Sequence, residues 1–206
     1  MSTSIQPELD QMPEPTGPEP QEDMPTPQGN WKALLGELLQ TILLAALLYF
    51  GINAITTRIH VQSISMQPTL YEKDLVLVNK LAYRFGEPQR GDVIVFRPPV
   101  DPDGEPYIKR LIGLPGDQVH IADGLVVVNG QPLHETYLNA APSYQGDWNV
   151  PQGYIFVLGD NRNNSSDSHQ WGLVSVESIL GRAEFVYFPI AHWKFLHANT
   201  AAAAGP

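Results

Sequence analysis

No cysteine occurs among the 206 residues. Disulfides, thiolate nucleophiles and Cys-ligated zinc are thereby excluded. Cationic side chains are scarce: 12 Lys and Arg stand against 22 Asp and Glu, a formal net charge of -10. Phosphate contacts need clustered Lys and Arg. No such cluster occurs, so nucleic-acid binding is set aside. The six histidines (His60, His120, His134, His169, His192, His197) show no ligand spacing. No metal and no organic cofactor is implied, and each histidine reads as structural or exposed. Helical patterning is missing everywhere except one segment, and no internal repeat is present.

What is present is unevenly distributed. Residues 1–30 hold six acids, no Lys or Arg, and seven of the 19 prolines. Such a stretch has too little apolar surface to offset the chain entropy of folding, and reads as a disordered, acidic, Pro-rich tail. The composition then reverses. Leu38 to Thr57 carries no charge. A helix of that length spans roughly 30 Å, the thickness of a bilayer core. Residues 31–57 therefore read as a transmembrane anchor, with Trp31, Tyr49 and Phe50 at interface depths. A cleavable signal peptide would have a basic n-region and a shorter apolar stretch. Lys32 flanks one side and Arg58 the other, so the positive-inside rule gives no orientation.

Residues 58–206 read as one β-rich domain. Leu75–Val78, Val93–Phe96, Val126–Val128, Tyr154–Val157 and Phe185–Phe188 are short β-branched or apolar runs. Turn residues bound them, and Asn129-Gly130 is a strong hairpin signal. Val119 to Leu133 reads as a small hairpin, and Asn139 to Gly153, with Pro142, Gly146 and Pro151, as loop.

Three segments concentrate reactive groups. The first, Gln62 to Leu70, places Ser63 and Ser65 just past the anchor. The second, Tyr107 to Asp117, sets Lys109 among Ile108, Leu111 and Ile112. The third, Gly159 to Gly172, is dense in hydrogen-bonding groups directly after an apolar strand. A serine hydroxyl is a weak nucleophile until a base takes its proton. Lysine serves as that base only when neutral, and burial among apolar groups favours the neutral form. On chemistry alone, each segment also fits a bland role: a Ser-rich turn, a snorkelling lysine, an ordered loop.

Together and in order, the segments resemble bacterial type I signal peptidases. The wording S-x-S-M-x-P-T-L (from Ser63), R-G-D-V-x-V-F (from Arg90), Y-I-K-R-x-x-G-x-P-G-D (from Tyr107) and G-D-N-R-x-N-S-x-D-S (from Gly159) carries the likeness over roughly residues 31–190. The resemblance implies a mainly antiparallel β-sheet catalytic domain on one N-terminal transmembrane helix. It implies a serine endopeptidase that removes signal peptides from exported preproteins after small residues at -3 and -1. It implies Ser65 as nucleophile, Lys109 as general base, and an oxyanion hole from the Ser63 hydroxyl and the Ser65 backbone N–H. It implies that Ser165 orients the lysine amine and that Arg110, Asp160, Arg162 and Asp167 brace the site, while Asp92 is structural. The family's substrate lies extended against strands bordering the site, and the matching pocket positions are Ile59, Val61, Met66, Leu70, Val95, Tyr107 and Ile108.

The resemblance further implies a cytoplasmic N-terminus, a bilayer around the anchor, and a catalytic domain in the periplasm or thylakoid lumen. Three departures stand out. His169 occupies a place where many members carry Arg, and D-S-H-x-W-G resembles cyanobacterial and plastid members. Gln62 replaces a Pro found in some relatives. The insertion between the second and third segments, about 118–153, is short, so the accessory β domain is expected to be a hairpin with loops. Rival readings are a Ser65–His169–Asp160 triad, a peptide-binding relative that does not cut, and a soluble self-cleaving Ser-Lys protein of the SOS-repressor type. The first is discriminated by mutating His169 against Lys109. The second is disfavoured by retention of both Ser65 and Lys109, and the third by the 20-residue apolar run.

Overall fold

The computed structural model describes residues 30–196. The acidic tail through residue 29 and the Ala-rich end after residue 196 lie outside the described residues. Helix α1 spans Trp31–Ile55, with no acidic residue in its first turn and none of its residues buried. It is long and apolar enough to cross a membrane by length and composition, with a hydropathy of 2.0. It ends two residues earlier than the charge-free run. Thr56 and Thr57 are β-branched, which suits a strand better than a helix. They open β1 (Thr56–His60) and pair with Asn79 and Val78.

The strands that follow are β2 (Leu75–Asn79), β3 (Val93–Phe96), β4 (Tyr107–Gly113), β5 (Gln118–Ala122), β6 (Leu125–Val128), β7 (Gln131–Pro132), β8 (Gly146–Asn149) and β9 (Tyr154–Leu158). A single helical turn α2 (Ser168–Trp171) precedes β10 (Val174–Ser175), β11 (Ile179–Phe188) and β12 (Lys194–Phe195). The main sheet runs β1-β2-β11-β3-β4-β9-β10, with β12 also on β11. Every pairing described is antiparallel. The fold is thus the mainly antiparallel β domain with one N-terminal apolar helix that the sequence predicts.

Two features of this sheet position the site. Strand β4 lies between β3 and β9, and from Ile108 onward every residue is buried. Lys109 and Arg110 therefore leave the strand on opposite faces, each inside the protein. The pairing of β4 with β9 begins only at Arg110, so Tyr107 to Lys109 has no strand on that side. Strand β1 likewise has one strand neighbour, β2. Strand β1 and the segment Tyr107 to Lys109 thus each keep one edge without a strand neighbour.

The second sheet runs β7-β6-β5-β8. Its turns need positive φ at two successive residues, the condition of a type I′ hairpin. Asp123-Gly124 (φ 51° and 77°) joins β5 to β6, and Asn129-Gly130 (φ 53° and 77°) joins β6 to β7. The structure corrects one expectation here. The accessory segment is a four-stranded sheet, because Gly146–Asn149 pairs with β5 from Ile121 to Gln118. Trp148 in that strand packs its ring 4.8 Å from Phe156. Burial of this side chain holds a strand whose sequence, Gly-Asp-Trp-Asn, has little intrinsic preference for one.

Candidate functional site

Val61 follows β1 and is pinned to it by hydrogen bonds with the loop before β2: Val61 N–H donates to Asp74 O, and Lys73 N–H donates to Val61 O. The chain then turns, and Met66 and Leu70 drop into the core beneath. This sets Ser65 at the mouth of the turn, where Lys109 reaches it from β4. The Lys109 amine donates to Ser65 Oγ at 2.6 Å. On its other side Ser65 Oγ meets Ser63 Oγ at 3.1 Å.

Only 4% of Lys109 is exposed. Burial pulls its pKa down from 10.5 to about 8, against the opposing pull of the Asp167 and Asp160 carboxylates. Its amine also lies 5.4 Å from the centre of the Tyr107 ring. An amine so held spends a useful fraction of its time neutral near physiological pH, as a proton acceptor must.

The segment after β9 packs against Ser65 from the other side. Asn161 N–H donates to Ser65 O at 2.9 Å, and its side-chain amide donates to Ile64 O at 3.2 Å. Gly159 faces the same carbonyl. A Cβ there would sit 2.4 Å from Ser65 O and 2.2 Å from Ser165 Oγ, so no larger residue fits without displacing the turn. Asp167, fully buried, accepts from Gly159 N–H at 2.9 Å and caps α2 by accepting from His169 N–H. Asp160 forms a two-pronged pair with Arg110, at 2.8 Å from Nε and 2.6 Å from the terminal nitrogen, and accepts from Thr69. Arg110 also donates to Gly91 O and stacks on the Tyr137 ring at 3.9 Å.

A groove of about 440 Å³ opens beside this cluster. One wall is β1 and its continuation, from Arg58 to Ser65; the other runs from Glu105 to Lys109. Both walls advance toward the Ser65–Lys109 pair, and both carry the open strand edges described above.

The likeness to known proteins is extensive. The family described as "Signal peptidase, peptidase S26" matches residues 35–188. The chain belongs to that family. A signal peptidase I of Leptolyngbya laminosa is 41% identical over 185 residues, covering 86% of this chain and 87% of that protein. A probable signal peptidase I-1 of Synechocystis is 40% identical, covering 86% of this chain and 92% of that protein. A chloroplastic thylakoidal processing peptidase 1 of Arabidopsis thaliana is 39% identical, over 63% of this chain and 41% of that protein. The cyanobacterial and plastid likeness of D-S-H-x-W-G agrees with these relatives.

Most positions that the signal peptidase resemblance singles out converge. Ser63, Ser65 and Lys109 meet at the groove's end, and Ile59, Val61, Tyr107 and Ile108 line it. Met66, Leu70 and Val95 do not line it. They are fully buried in the core cluster behind the groove and support its floor. Ser165 differs from expectation too: its hydroxyl is buried with no hydrogen-bond partner, and the lysine amine is bonded to Ser65 instead. Asp92 accepts from Tyr83 and from Gln89 N–H, away from the groove. His169 does not join the serine; its Nδ1 lies 2.6 Å from Asp167 Oδ1.

Other residues around the site were not singled out from sequence. Asn161 holds the serine's backbone. Glu135 takes both terminal nitrogens of the buried Arg162, at 2.7 and 2.6 Å, while Arg162 Nε donates to Gly159 O. Tyr137 donates to Glu135 and lies under Arg110. Both Glu135 and Tyr137 come from the accessory insertion. Asn161 stands inside the G-D-N-R wording, which gave its signal; the insertion residues carry none.

Proposed function

We propose that this chain is a membrane-anchored signal peptidase I that cuts preproteins with Ser65 as nucleophile and Lys109 as general base. The observation that carries this reading is the 2.6 Å contact between a buried lysine amine and a serine hydroxyl at the end of a groove.

The preprotein segment before the cleavage site lies extended in the groove, adding to the open edges of β1 and of Tyr107 to Lys109. Small side chains at -3 and -1 sit against Ile59, Val61, Tyr107 and Ile108, where a larger side chain clashes. Neutral Lys109 accepts the Ser65 hydroxyl proton as Oγ attacks the carbonyl carbon of the -1 residue. The carbonyl oxygen becomes an oxyanion, held by the Ser65 N–H and by the Ser63 hydroxyl rotated toward it. Donors of this kind contribute about 2.7–4 kcal/mol each. The Lys109 ammonium returns the proton to the leaving amide nitrogen, the C–N bond breaks, and the signal peptide remains as an ester on Ser65. Water then attacks the ester, Lys109 again taking the proton, and Ser65 is regenerated.

Asp160, paired with Arg110, and Asp167, held by Gly159 and His169, fix the turn behind Ser65. The helix α1 holds the chain in the bilayer. The N-terminal tail faces the cytoplasm and the β domain the periplasm or thylakoid lumen.

The test is cleavage of a preprotein with an Ala-x-Ala site, in detergent, by wild type, Lys109→Ala, Ser65→Ala and His169→Ala. The expected result is a cut after the -1 residue by wild type, none by the first two variants, and retained cutting by the third. A Lys109→Ala variant that cuts normally, or a His169→Ala variant that is dead where Lys109→Ala is active, replaces the Ser-Lys mechanism with a histidine-dependent one.

A further inference from the structure

His169 meets the site through Asp167 and takes no part in the bond-making steps of the proposed mechanism. Its ring stacks flat on Tyr144, with centroids 3.9 Å apart and planes 10° from parallel. Its Nδ1 lies 2.6 Å from Asp167 Oδ1, and its backbone N–H donates to the same oxygen at 3.2 Å. The other oxygen of Asp167 accepts from Gly159 N–H. Gly159 is the residue against which Ser65 O and Ser165 Oγ are crowded. Asp167 is also the carboxylate that most strongly favours the charged form of Lys109. A single carboxylate thus touches the histidine, holds the turn against Ser65, and sets the charge felt by the lysine.

We propose that His169 is a positioning residue that acts through Asp167, fixing the Gly159 turn against Ser65 and setting the electrostatic field at Lys109. This rests on the Ser-Lys reading above. A neutral imidazole donates Nδ1–H to Asp167 and leaves the carboxylate's charge in place. A cation at the same spot offsets that charge, the lysine ammonium loses stabilisation, and the lysine is neutral at lower pH. The groups facing this pair are few. Tyr144 covers the ring from the accessory segment and itself feels the charges of Asp167, Arg162 and Glu135, while Asp160 adds to Asp167 at Lys109. Arg162 and Glu135 are paired with each other, and Asp160 with Arg110. Asp167 is left as the acid paired with a histidine and not with an arginine.

The experiment measures kcat/KM for preprotein cleavage from pH 6 to 10 in the full chain, for wild type, His169→Arg, His169→Lys and His169→Gln, each also carrying Asp167→Asn. The fixed cations are expected to move the acid limb at least threefold in proton concentration toward lower pH relative to His169→Gln. That difference is expected to vanish in the Asp167→Asn background. Acid limbs that coincide for the cationic and Gln variants, with changes in kcat alone, overturn the proposal and reduce His169 to packing. A difference that persists with Asp167→Asn overturns the path through that carboxylate. Wild type that fails to cut at any pH, with all variants alike, points instead to failure of the Ser-Lys reading. His169→Lys keeps the test open if the bulkier Arg variant does not fold.

Discussion

Burial of Lys109 carries a cost in stability, and the proposed mechanism depends on it. Its folded pKa of about 8 lies below the 10.5 of the free side chain, and burial is the main cause. Between these values the unfolded chain holds a proton that the folded chain has released, so stability rises with pH across that window. Below pH 8 both states are charged and the folded protein carries the full cost of burying the ammonium. Replacing the lysine by an apolar side chain of similar length removes that cost. Lys109→Met is expected to abolish cleavage while raising stability by on the order of 2 kcal/mol at pH 7. That gain should fade between pH 8 and 10.5 in urea titrations. A gain independent of pH contradicts the assignment of the cost to the ammonium. The same shift predicts that wild-type kcat/KM climbs about tenfold per pH unit below pH 8 and levels above it.

Gly159 makes a second case at this scale. Its φ lies outside the positive range, so the requirement for glycine is space and not backbone freedom. A methyl group there meets Ser65 O and Ser165 Oγ well inside van der Waals contact. Gly159→Ala is expected to push the Ser65 turn away from Lys109 and lower kcat by ~100-fold, the scale of effect that a misplacement of about 1 Å produces. An Ala variant with wild-type kcat would mean that the turn yields without moving the serine.

Among the elements, the accessory insertion does more than add a second sheet. It supplies Glu135 to the buried Arg162 and Tyr137 to the face of Arg110. Arg162 is almost wholly buried, so removing its partner leaves an uncompensated charge in the interior. Glu135→Ala is expected to cost about 3–5 kcal/mol, read as a lower denaturant midpoint. Because Arg162 also donates to Gly159 O, activity should fall along with stability. Retained stability would mean that water reaches Arg162 once the glutamate is gone.

The same element marks where sequence legibility ends. The runs Leu75–Val78, Val93–Phe96 and Tyr154–Val157 were readable as strands because apolar, β-branched residues recur between turn residues. Serine and lysine were readable as a pair because the surrounding wording resembles a family. Strand β8 was not readable, since Gly146–Asn149 becomes a strand through Trp148 packing on Phe156, a contact between distant segments. Glu135 and Tyr137 were hidden for the same reason: each is an ordinary loop residue until the fold brings a buried arginine to it. The core positions Met66, Leu70 and Val95 were readable as apolar, but not as lying behind the groove and not in it.

For the whole molecule, the open question is which side of the membrane the β domain faces. Local charge does not decide it, with one cation on each flank of the apolar run. The proposed function makes an expectation: a signal peptide becomes accessible to cleavage only after its mature part has crossed, so a peptidase acting on it is expected on the side of arrival. On that reading the acidic, proline-rich first 30 residues are expected to remain on the side of synthesis, where they need no translocation. In spheroplasts holding the full chain with a tag at each end, external protease is expected to destroy the β domain and its tag while the N-terminal tag survives. The inverse pattern would place the Ser65–Lys109 groove where no translocated preprotein reaches it. In that event the fold and the dyad geometry would stand, but the substrate would have to be a protein of the other compartment, and cleavage of preproteins in detergent would reflect the pocket's taste for small side chains and not its role.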